Sequence, residues 1–302
     1  MPCKRKGICA FLDVSGTHAN CCWQWSSRGE ITRKHSTLQR ANRTLAAESD
    51  TGYRHEVPAF DALDGNISKQ LANAMFPKAP SAADKRRSLR LHELAALIAI
   101  PDTLPERKAA LTAQLMSLVA EVPANGNGLR LDAIVHDDQP ANLWIDFHVQ
   151  HPWAASHLKT NDAWFKGEHT AERLARSSQD GLNSFAAVSS PSVVSAEATK
   201  RKHYALLTAI GQALSASGRL AKRVEFLPVV VSHVGEFGAG AFTLAERYAR
   251  NAQRSPAFSP YVTGISSRET GSRMRKRAKD SLMCSIAKGW GRVLSTAGAS
   301  YC

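Results

Sequence analysis

Two stretches of sequence, Leu129-Arg-Leu-Asp-Ala-Ile-Val-His136 and Leu143-Trp-Ile-Asp-Phe-His-Val-Gln150, are joined by the turn signal Asp137-Asp-Gln-Pro140. Each stretch predicts a β-strand with one aspartate, Asp132 or Asp146, and 13 residues separate the two aspartates. Adjacent strands with one buried face would bring the two carboxylates together on the other face. Two carboxylates a few ångströms apart can bind a divalent cation. The ordinary alternative is a pair of aspartates on the solvent face of a hairpin.

The second strand carries further polar side chains on the face of its aspartate. Strand alternation places Trp144, Asp146, His148 and Gln150 on one face. His148 is therefore a candidate metal ligand or general base, because an imidazole titrates near neutral pH. A surface histidine without a catalytic role is the alternative. Asp132 likewise points away from the leucines of its own strand.

The composition favours a polyanionic partner. The chain has 302 residues, of which 43% are hydrophobic, so it can bury the core of one large or two small domains. Nucleic acid is the most common partner of a surface with a net charge as high as +13. No apolar run reaches the ~20 residues of a membrane helix, and no apolar signal-peptide segment follows the charged N-terminus. We therefore expect an intracellular protein, neither secreted nor membrane-bound, and a nuclear one in a eukaryote.

Outward from the aspartate strands, periodicity and breaker residues predict a mixed succession of elements. Helices are predicted at 33–47, 85–100, 104–121, 195–215, 243–250 and 270–296, and strands at 52–58, 129–136, 143–150 and 223–233. Residues 61–84 are predicted to be irregular. The resulting order is helix, strand, strand, strand, helix, strand, an α/β class with a helical insertion at about 61–123. We expect three segments, namely 1–30, a core at 31–255 and a basic helical tail at 256–302.

This αβββαβ order resembles the core of the PD-(D/E)xK restriction-like nucleases. In that fold an aspartate on the second core strand and an acidic residue on the third bind the metal, and Asp132 and Asp146 fall on those two strands. The resemblance implies Mg²⁺ as a cofactor. It also implies a third acid early in the core, for which Glu56 and Glu48 are the candidates. The general motif has a third-strand lysine at the position that His148 occupies here.

The chain further resembles the C-terminal region of non-LTR retrotransposon polyproteins that carry a restriction-like endonuclease. Those regions contain a Cys-Cys-His-Cys knuckle, an Arg-His element, paired aspartates and a helical lysine with a nearby tyrosine, in that order. The matching residues are Cys3, Cys9, His18 and Cys22, then Arg33 and His35, then Asp132 and Asp146, and then Lys200 and Tyr204. The resemblance spans residues 1–235 and departs from the family at Leu131, where the family has proline. It implies a piece detached from the reverse transcriptase of such an element.

The N-terminal cysteines and histidine form a candidate zinc site. Structural zinc takes four Cys or His ligands in a closed tetrahedron. The order Cys3, Cys9, His18 and Cys22 allows such a site, with Cys21 as an alternative to Cys22. The interval between the first two cysteines is wider than usual. A reduced N-terminus without metal is the other interpretation.

Two lysines are candidates for the cationic member of the catalytic set. Helical periodicity through 195–215 places Lys202 on the apolar stripe that includes Leu206, with Lys200 nearly opposite. The retrotransposon resemblance favours Lys200 instead. Either ammonium could offset the charge that develops on a phosphate. The alternative is a lysine that extends into solvent.

The last predicted helix is dense in cations, and its candidate nucleic-acid-binding residues are Arg273, Arg275, Lys276, Arg277 and Lys279. Such a helix suits a phosphate backbone, although a solvated basic face is an equal alternative. Together these features predict a Mg²⁺-dependent endonuclease that hydrolyses DNA phosphodiester bonds. Zn²⁺ is a second expected cofactor, and RNA stays open as a ligand. The alternative function is a nucleic-acid-binding or structural remnant that has lost turnover.

Overall fold

The computed structural model describes residues 31–60, 63, 65–75, 81–100, 102–124, 129–137, 140–150, 189–232 and 236–299. The helices are α1 (Ile31–Glu48), α2 (Gly65–Met75), α3 (Ala82–Ala99), α4 (Pro105–Ala120), α5 (Pro191–His203), α6 (Ala205–Ala216), α7 (Ala239–Arg254), α8 (Pro260–Thr263) and α9 (Ser267–Ala299), with a 3-10 turn at Pro256–Phe258. The strands are β1 (Gly52–Pro58), β2 (Arg130–His136), β3 (Ala141–Gln150) and β4 (Arg223–Ser232). The described chain is therefore mixed α/β, as its sequence predicts.

The strands of the described residues form one mixed sheet in the order β1-β2-β3-β4. β1 and β2 are antiparallel, with Val57 opposite Leu131. β2 and β3 are also antiparallel, with Ala133 opposite Ile145. A short connection between strands permits only an antiparallel pair. The predicted hairpin between the two aspartate strands is thus confirmed.

The chain divides into two compact units. The first comprises Met1–Thr51, Phe147–Thr199 and Pro228–Cys302, and the second comprises Gly52–Asp146 and Lys200–Leu227. We call the second the aspartate unit, because it contains both Asp132 and Asp146. We call the first the basic unit, because it contains the cationic helix α9. The segment boundaries expected near residues 30 and 255 stay predictions.

The core of the aspartate unit includes the helices inserted between β1 and β2. α3 buries Leu91, Leu94 and Ile98, which are spaced three or four residues apart, and it packs against α4 and α6. A capping box starts this helix: Ser81 Oγ accepts a hydrogen bond from the Asp84 amide, and the Asp84 carboxylate accepts one from the Ser81 amide. The insertion therefore contributes to the core that supports the strands.

In the basic unit, α9 packs against α1 and α7. Tyr248 of α7 is fully buried, and its hydroxyl donates to Asn42 Oδ1 of α1 at 3.5 Å. Asn251 Nδ2 donates to Thr51 Oγ1 at 2.8 Å. Buried polar groups with partners of this kind hold helices in one arrangement, because an unpaired group would lose its hydration without compensation.

Two predicted elements differ from the structure. Part of the stretch predicted to be irregular forms α2, which buries Leu71 and Met75 in the core of the aspartate unit. The single helix predicted at 195–215 is divided at Tyr204, whose φ of −97° and ψ of 10° lie outside the helical region. The ring of Tyr204 packs on Phe226 with 4.5 Å between ring centroids. Periodicity cannot contain this contact, because it joins residues far apart in sequence.

Candidate active site

Asp132 and Asp146 occupy opposing positions on β2 and β3. The antiparallel ladder pairs Ile134 with Trp144 and Ala133 with Ile145. The next position in the same register places Asp132 opposite Asp146. Opposing residues of an antiparallel pair point to the same face of a sheet. The two carboxylates therefore share a face, in agreement with the phase predicted for their strands.

The sheet face that carries the aspartates is covered by protein. Asp146 is 9% exposed, and its neighbour on that face, Trp144, is 4% exposed. Trp144 packs edge-on against Phe60 with 5.0 Å between ring centroids, and both rings belong to the core that includes the inserted helices. The expectation of a sheet with only one buried face is thus wrong for β3. Burial of this kind strengthens every electrostatic contact that Asp146 makes.

Two side chains that follow each other along one helical surface reach Asp146. Tyr204 Oη donates a hydrogen bond to Asp146 Oδ1 at 3.3 Å. Lys200 Nζ lies 2.7 Å from Asp146 Oδ2. Lys200 and Tyr204 are four residues apart, and the Tyr204 amide donates to the Lys200 carbonyl at 3.0 Å, so the two side chains leave the helix on one side. The carboxylate thus has a hydroxyl on one oxygen and a cation beside the other.

Asp146 Oδ2 can accept a further ligand. Lys200 Nζ lies 2.7 Å from this buried atom and is its charged partner. A carboxylate oxygen has more than one lone-pair direction. Oδ2 therefore has the capacity to accept a water, a cation or a substrate group in addition to its contact with Lys200.

The hydroxyl of Tyr204 stays neutral at physiological pH. Burial raises the pKa of Tyr204 well above its ordinary value of 10.0, and the charge of Asp146 and the hydrogen bond to it raise this pKa further. The charge of Asp132 acts in the same direction. The charges of both carboxylates thus act on one buried hydroxyl.

Tyr204 should make the stability of the protein fall at alkaline pH. Its pKa is higher in the folded state, so its stabilisation is complete below the unfolded-state value of 10.0 and is lost as the pH rises through the folded-state pKa. We expect Tyr204→Phe to reduce the loss of unfolding free energy between about pH 9 and about pH 12. Urea denaturation at several pH values measures this. Tyr261→Phe, which alters a fully exposed tyrosine, is the control and should retain the wild-type pH dependence.

Tyr204 has a larger part in the candidate site than the sequence indicates. In the sequence it is only a neighbour of Lys200 within the retrotransposon resemblance. The signal that could have identified it is the spacing of four residues between a lysine and a tyrosine, which puts both on one side of a helix. The hydrogen bond with Asp146 adds Tyr204 to the candidate site residues.

The prediction that Lys202 faces the core is wrong. Lys202 is exposed, whereas Lys200 is half-buried and contacts Asp146. Helical periodicity counted back from α6 fails here, because α5 ends at His203 and α6 begins at Ala205. Of the two alternatives that the sequence left open, the structure therefore brings Lys200 to the aspartate.

Glu56 has a left-handed backbone inside a strand. Its φ is +49°, which is uncommon for a residue with a side chain and recurs at functional sites. The β1–β2 ladder pairs Val57 with Leu131, so the next position puts Glu56 opposite Asp132. The Glu56 side chain is exposed. Within the described ranges, no three or more His, Cys, Asp or Glu side chains form a group that could hold a metal ion.

Six other candidate residues either have partners in the basic unit or lie outside the described chain. His148, in the basic unit, donates from Nε2 to Gln150 Oε1 at 2.9 Å, and its role as ligand or base stays a prediction. Glu48, also in the basic unit, forms an ion pair with Arg277 at 2.9 Å. The proposed zinc ligands fall outside the described residues, so the zinc site stays a prediction; they are Cys3, Cys9, His18 and Cys22.

The cationic residues of α9 are partly engaged within the basic unit. Three arginines form ion pairs: Arg273 with Glu269 at 2.7 Å, Arg275 with Glu246 at 3.0 Å, and Arg277 with Glu48 at 2.9 Å. Lys279 Nζ lies 6.0 Å from the centre of the Phe242 ring, and Lys276 is exposed. Surface ion pairs contribute little free energy and can exchange partners. Binding of nucleic acid by this helix stays a prediction.

No family model matches the chain, and no curated protein or solved structure is similar to it. None of the helices in the part of the chain described here is long and apolar enough to cross a bilayer. The inference of function therefore starts from the arrangement of side chains around Asp146.

Proposed function

We propose that the protein is a metal-dependent endonuclease that hydrolyses DNA phosphodiester bonds. The observation that carries the proposal is the convergence of Lys200 and Tyr204 on Asp146, at the position opposite Asp132. Hydrolysis of a phosphodiester needs carboxylates that hold a cation, and a positive group that offsets charge on the phosphate. The aspartate unit presents both kinds of group on one face of its strands.

The order of elements supports a restriction-like core. α1, β1, β2, β3, the pair α5–α6 and β4 follow the αβββαβ succession, and α2, α3 and α4 form the insertion between β1 and β2. In the retrotransposon endonucleases that the sequence resembles, the lysine comes from a helix after the third strand. Lys200 of α5 has that place in the order. These likenesses support the assignment, which remains part of the proposal.

The donor set around Asp146 suits Mg²⁺. Magnesium prefers carboxylate oxygens, and Asp132 and Asp146 would hold it together, with Oδ2 of Asp146, which also contacts Lys200, as one ligand atom. When bound, the ion lowers the pKa of a coordinated water and so provides a hydroxide nucleophile near neutral pH. Glu56, at the position opposite Asp132, is the candidate for a third carboxylate.

The neighbouring side chains have separate tasks in this proposal. The ammonium of Lys200 offsets the negative charge that grows on the phosphate oxygens during attack. Tyr204 holds Asp146 Oδ1 by a hydrogen bond and so fixes the orientation of the carboxylate. Lys200 Nζ also lies 6.0 Å from the centre of the Tyr204 ring, which favours one position of the lysine. Tyr204 is therefore a positioning residue, and Lys200 is the group that meets the substrate.

Incubation of the purified protein with supercoiled plasmid DNA tests the proposal. We expect nicked and linear products with Mg²⁺ or Mn²⁺, and none after addition of EDTA. Products that persist in EDTA would indicate a nuclease activity that does not depend on this site. The absence of cleavage with every divalent metal would contradict the proposal.

Nucleic-acid binding without turnover is the second candidate function. The net charge of +13 favours it, as do the departures from the nuclease pattern at Leu131 and His148. The exposed side chain of Glu56 also favours binding without turnover, because Glu56 is the candidate third carboxylate and lies outside any metal site formed by the described residues. Salt-dependent binding of DNA without cleavage would favour this function. If the protein neither binds nor cleaves DNA, the remaining interpretation is a structural remnant.

A further inference from the structure

The basic unit contains a cavity between α1 and α9 with a volume of about 380 Å³. Its walls include Arg40 of α1, and Ser281, Cys284 and Lys288 of α9. We call this cavity the α1–α9 groove, and we propose that it binds the phosphate backbone of DNA. The inference deepens the proposed function, on which it rests for the identity of the polyanion, and it concerns how DNA is held rather than how it is cleaved.

The groove carries cations that are available to a ligand. Arg40 and Lys288 are exposed, and neither forms an ion pair or hydrogen bond through its side chain within the described part of the chain. Arg277 also lines the groove, but its guanidinium donates to both oxygens of Glu48 at 2.9 and 3.1 Å. Asp280 is the acid among the lining residues. Two cations without an ion-pair partner among the described residues thus face a space that one carboxylate lines.

Arg40 and Lys288 differ from three arginines of α9 in the state of their charges. The arginines at 273, 275 and 277, which the sequence marked for DNA binding, each have a carboxylate partner. A phosphate that approached them would have to displace that carboxylate. Arg40 and Lys288 need no such exchange, so a phosphate gains their full attraction and releases only counterions. DNA should therefore contact Arg40 and Lys288 before it displaces the carboxylate partners of the paired arginines.

The dimensions of the groove fit a segment of one DNA strand. Ser281 and Lys288 are seven residues apart on α9, which corresponds to about 10 Å along the helix axis. This length equals about three base-pair steps along the axis of a duplex. Ser281 is half-buried and its hydroxyl makes no hydrogen bond with the described residues, so it can donate to a phosphate oxygen between the two cations. Hydroxyls and cations that line one groove are typical of contacts to a phosphate backbone.

The double variant Arg40→Gln with Lys288→Gln tests the groove through the salt dependence of binding. Each lost phosphate contact lowers the slope of log K against log salt concentration by about 0.9, so we expect a decrease of about 1.8. The change in affinity between about 50 and about 200 mM salt would then shrink by roughly 12-fold. Fluorescence anisotropy with a labelled DNA duplex in EDTA measures the slope without cleavage.

The double variant Lys85→Gln with Arg86→Gln is the matched control. It removes one lysine and one arginine that are exposed on α3, in the aspartate unit. We expect its slope of log K against log salt concentration to stay within about 0.3 of the wild-type slope, which is less than the change from losing one phosphate contact. Equal slopes for the two double variants, or a groove variant with the wild-type slope, would overturn the inference. Circular dichroism spectra and melting temperatures establish that both variants are folded.

Cys284 reports on the groove directly. Its thiol is exposed and lines the groove, so an alkylating reagent should modify it in the free protein. We expect saturating DNA duplex to slow that modification at least tenfold, as read by mass spectrometry of the peptide that contains Cys284. An unchanged rate at saturation would overturn the inference. Peptide-level detection is needed because the chain contains six cysteines.

The results separate this inference from the proposed nuclease activity. Cleavage that depends on Asp146, together with a wild-type slope in the groove variant, would contradict the groove inference and support the nuclease proposal. Protection of Cys284 by DNA and a reduced slope in the groove variant, without cleavage under any metal, would support the groove inference and contradict the nuclease proposal. A wild-type protein that binds no DNA would remove the groove as a DNA site.

Discussion

Asp146→Asn is expected to lower the rate of Mg²⁺-dependent DNA cleavage by about 10³-fold, which corresponds to about 4 kcal/mol in activation free energy. Asparagine retains the size of aspartate and an oxygen that can accept the Tyr204 hydrogen bond. It removes the negative charge that would hold the cation beside the nucleophilic water. Single-turnover cleavage of a plasmid by wild type and variant measures the effect.

Binding of DNA by Asp146→Asn should be equal to that of wild type or tighter. The cations that attract DNA lie elsewhere, and the loss of a negative charge can only reduce repulsion of phosphates. Asp102→Asn is the control, because it removes the charge of an exposed aspartate that no described residue contacts. We expect the control to cleave at the wild-type rate. Equal activity of Asp146→Asn and wild type would end the assignment of Asp146 as a metal ligand.

Lys200→Met is expected to reduce the cleavage rate by about 10²-fold, the usual effect of removing one group that stabilises developing charge. Methionine has a similar length and flexibility but no ammonium. The variant should retain DNA affinity, since one partly buried lysine that pairs with Asp146 contributes little to phosphate attraction in the ground state. A fall in kcat with an unchanged Kd is therefore the expected pattern.

Lys202→Met provides the matched comparison for Lys200→Met. The two lysines are two residues apart on α5, but Lys202 is exposed while Lys200 contacts Asp146. We expect Lys202→Met to cleave within about threefold of the wild-type rate, as for surface substitutions away from a site. A larger loss in Lys202→Met than in Lys200→Met would reverse the assignment of the two lysines.

Tyr204 connects the catalytic proposal to the fold. Its ring is part of the buried core beside Phe226, and its hydroxyl holds Asp146. The helical backbone leaves its regular geometry at this same residue. Backbone departures of this kind are retained where surrounding contacts impose them. The division between α5 and α6 and the hydrogen bond to the aspartate thus occur at the same tyrosine.

Much of the architecture is predictable from local pattern, because its cause is local. Strand side chains alternate with a period of two, so the positions of Asp132 and Asp146 within their strands determine their face. The short turn between those strands leaves only an antiparallel pairing. α2 was missed because its few apolar residues, such as Leu71 and Met75, give a helical signal only when their burial is known.

The choice between the two lysines could not come from local pattern. Helical periodicity assumes one continuous helix, and on that assumption it predicts that Lys202 lies on the apolar, core-facing side of the helix. The helix is divided at Tyr204, whose ring packs on Phe226, a residue 22 positions away in the chain. Likewise, the pairing of the α9 arginines depends on Glu48 and Glu246, which lie on other helices. These contacts have no sequence signature, because they join elements that meet only after folding.

By itself, the sequence determined the α/β class, the order of the core elements and the shared face of the two aspartates, since these follow from side-chain period and connection length. Only the tertiary structure decided that this face is buried, that Lys200 rather than Lys202 reaches Asp146, and that three arginines of α9 form ion pairs. The physical reason is that burial and ion pairing depend on what covers a residue. That covering is supplied by segments distant in the chain.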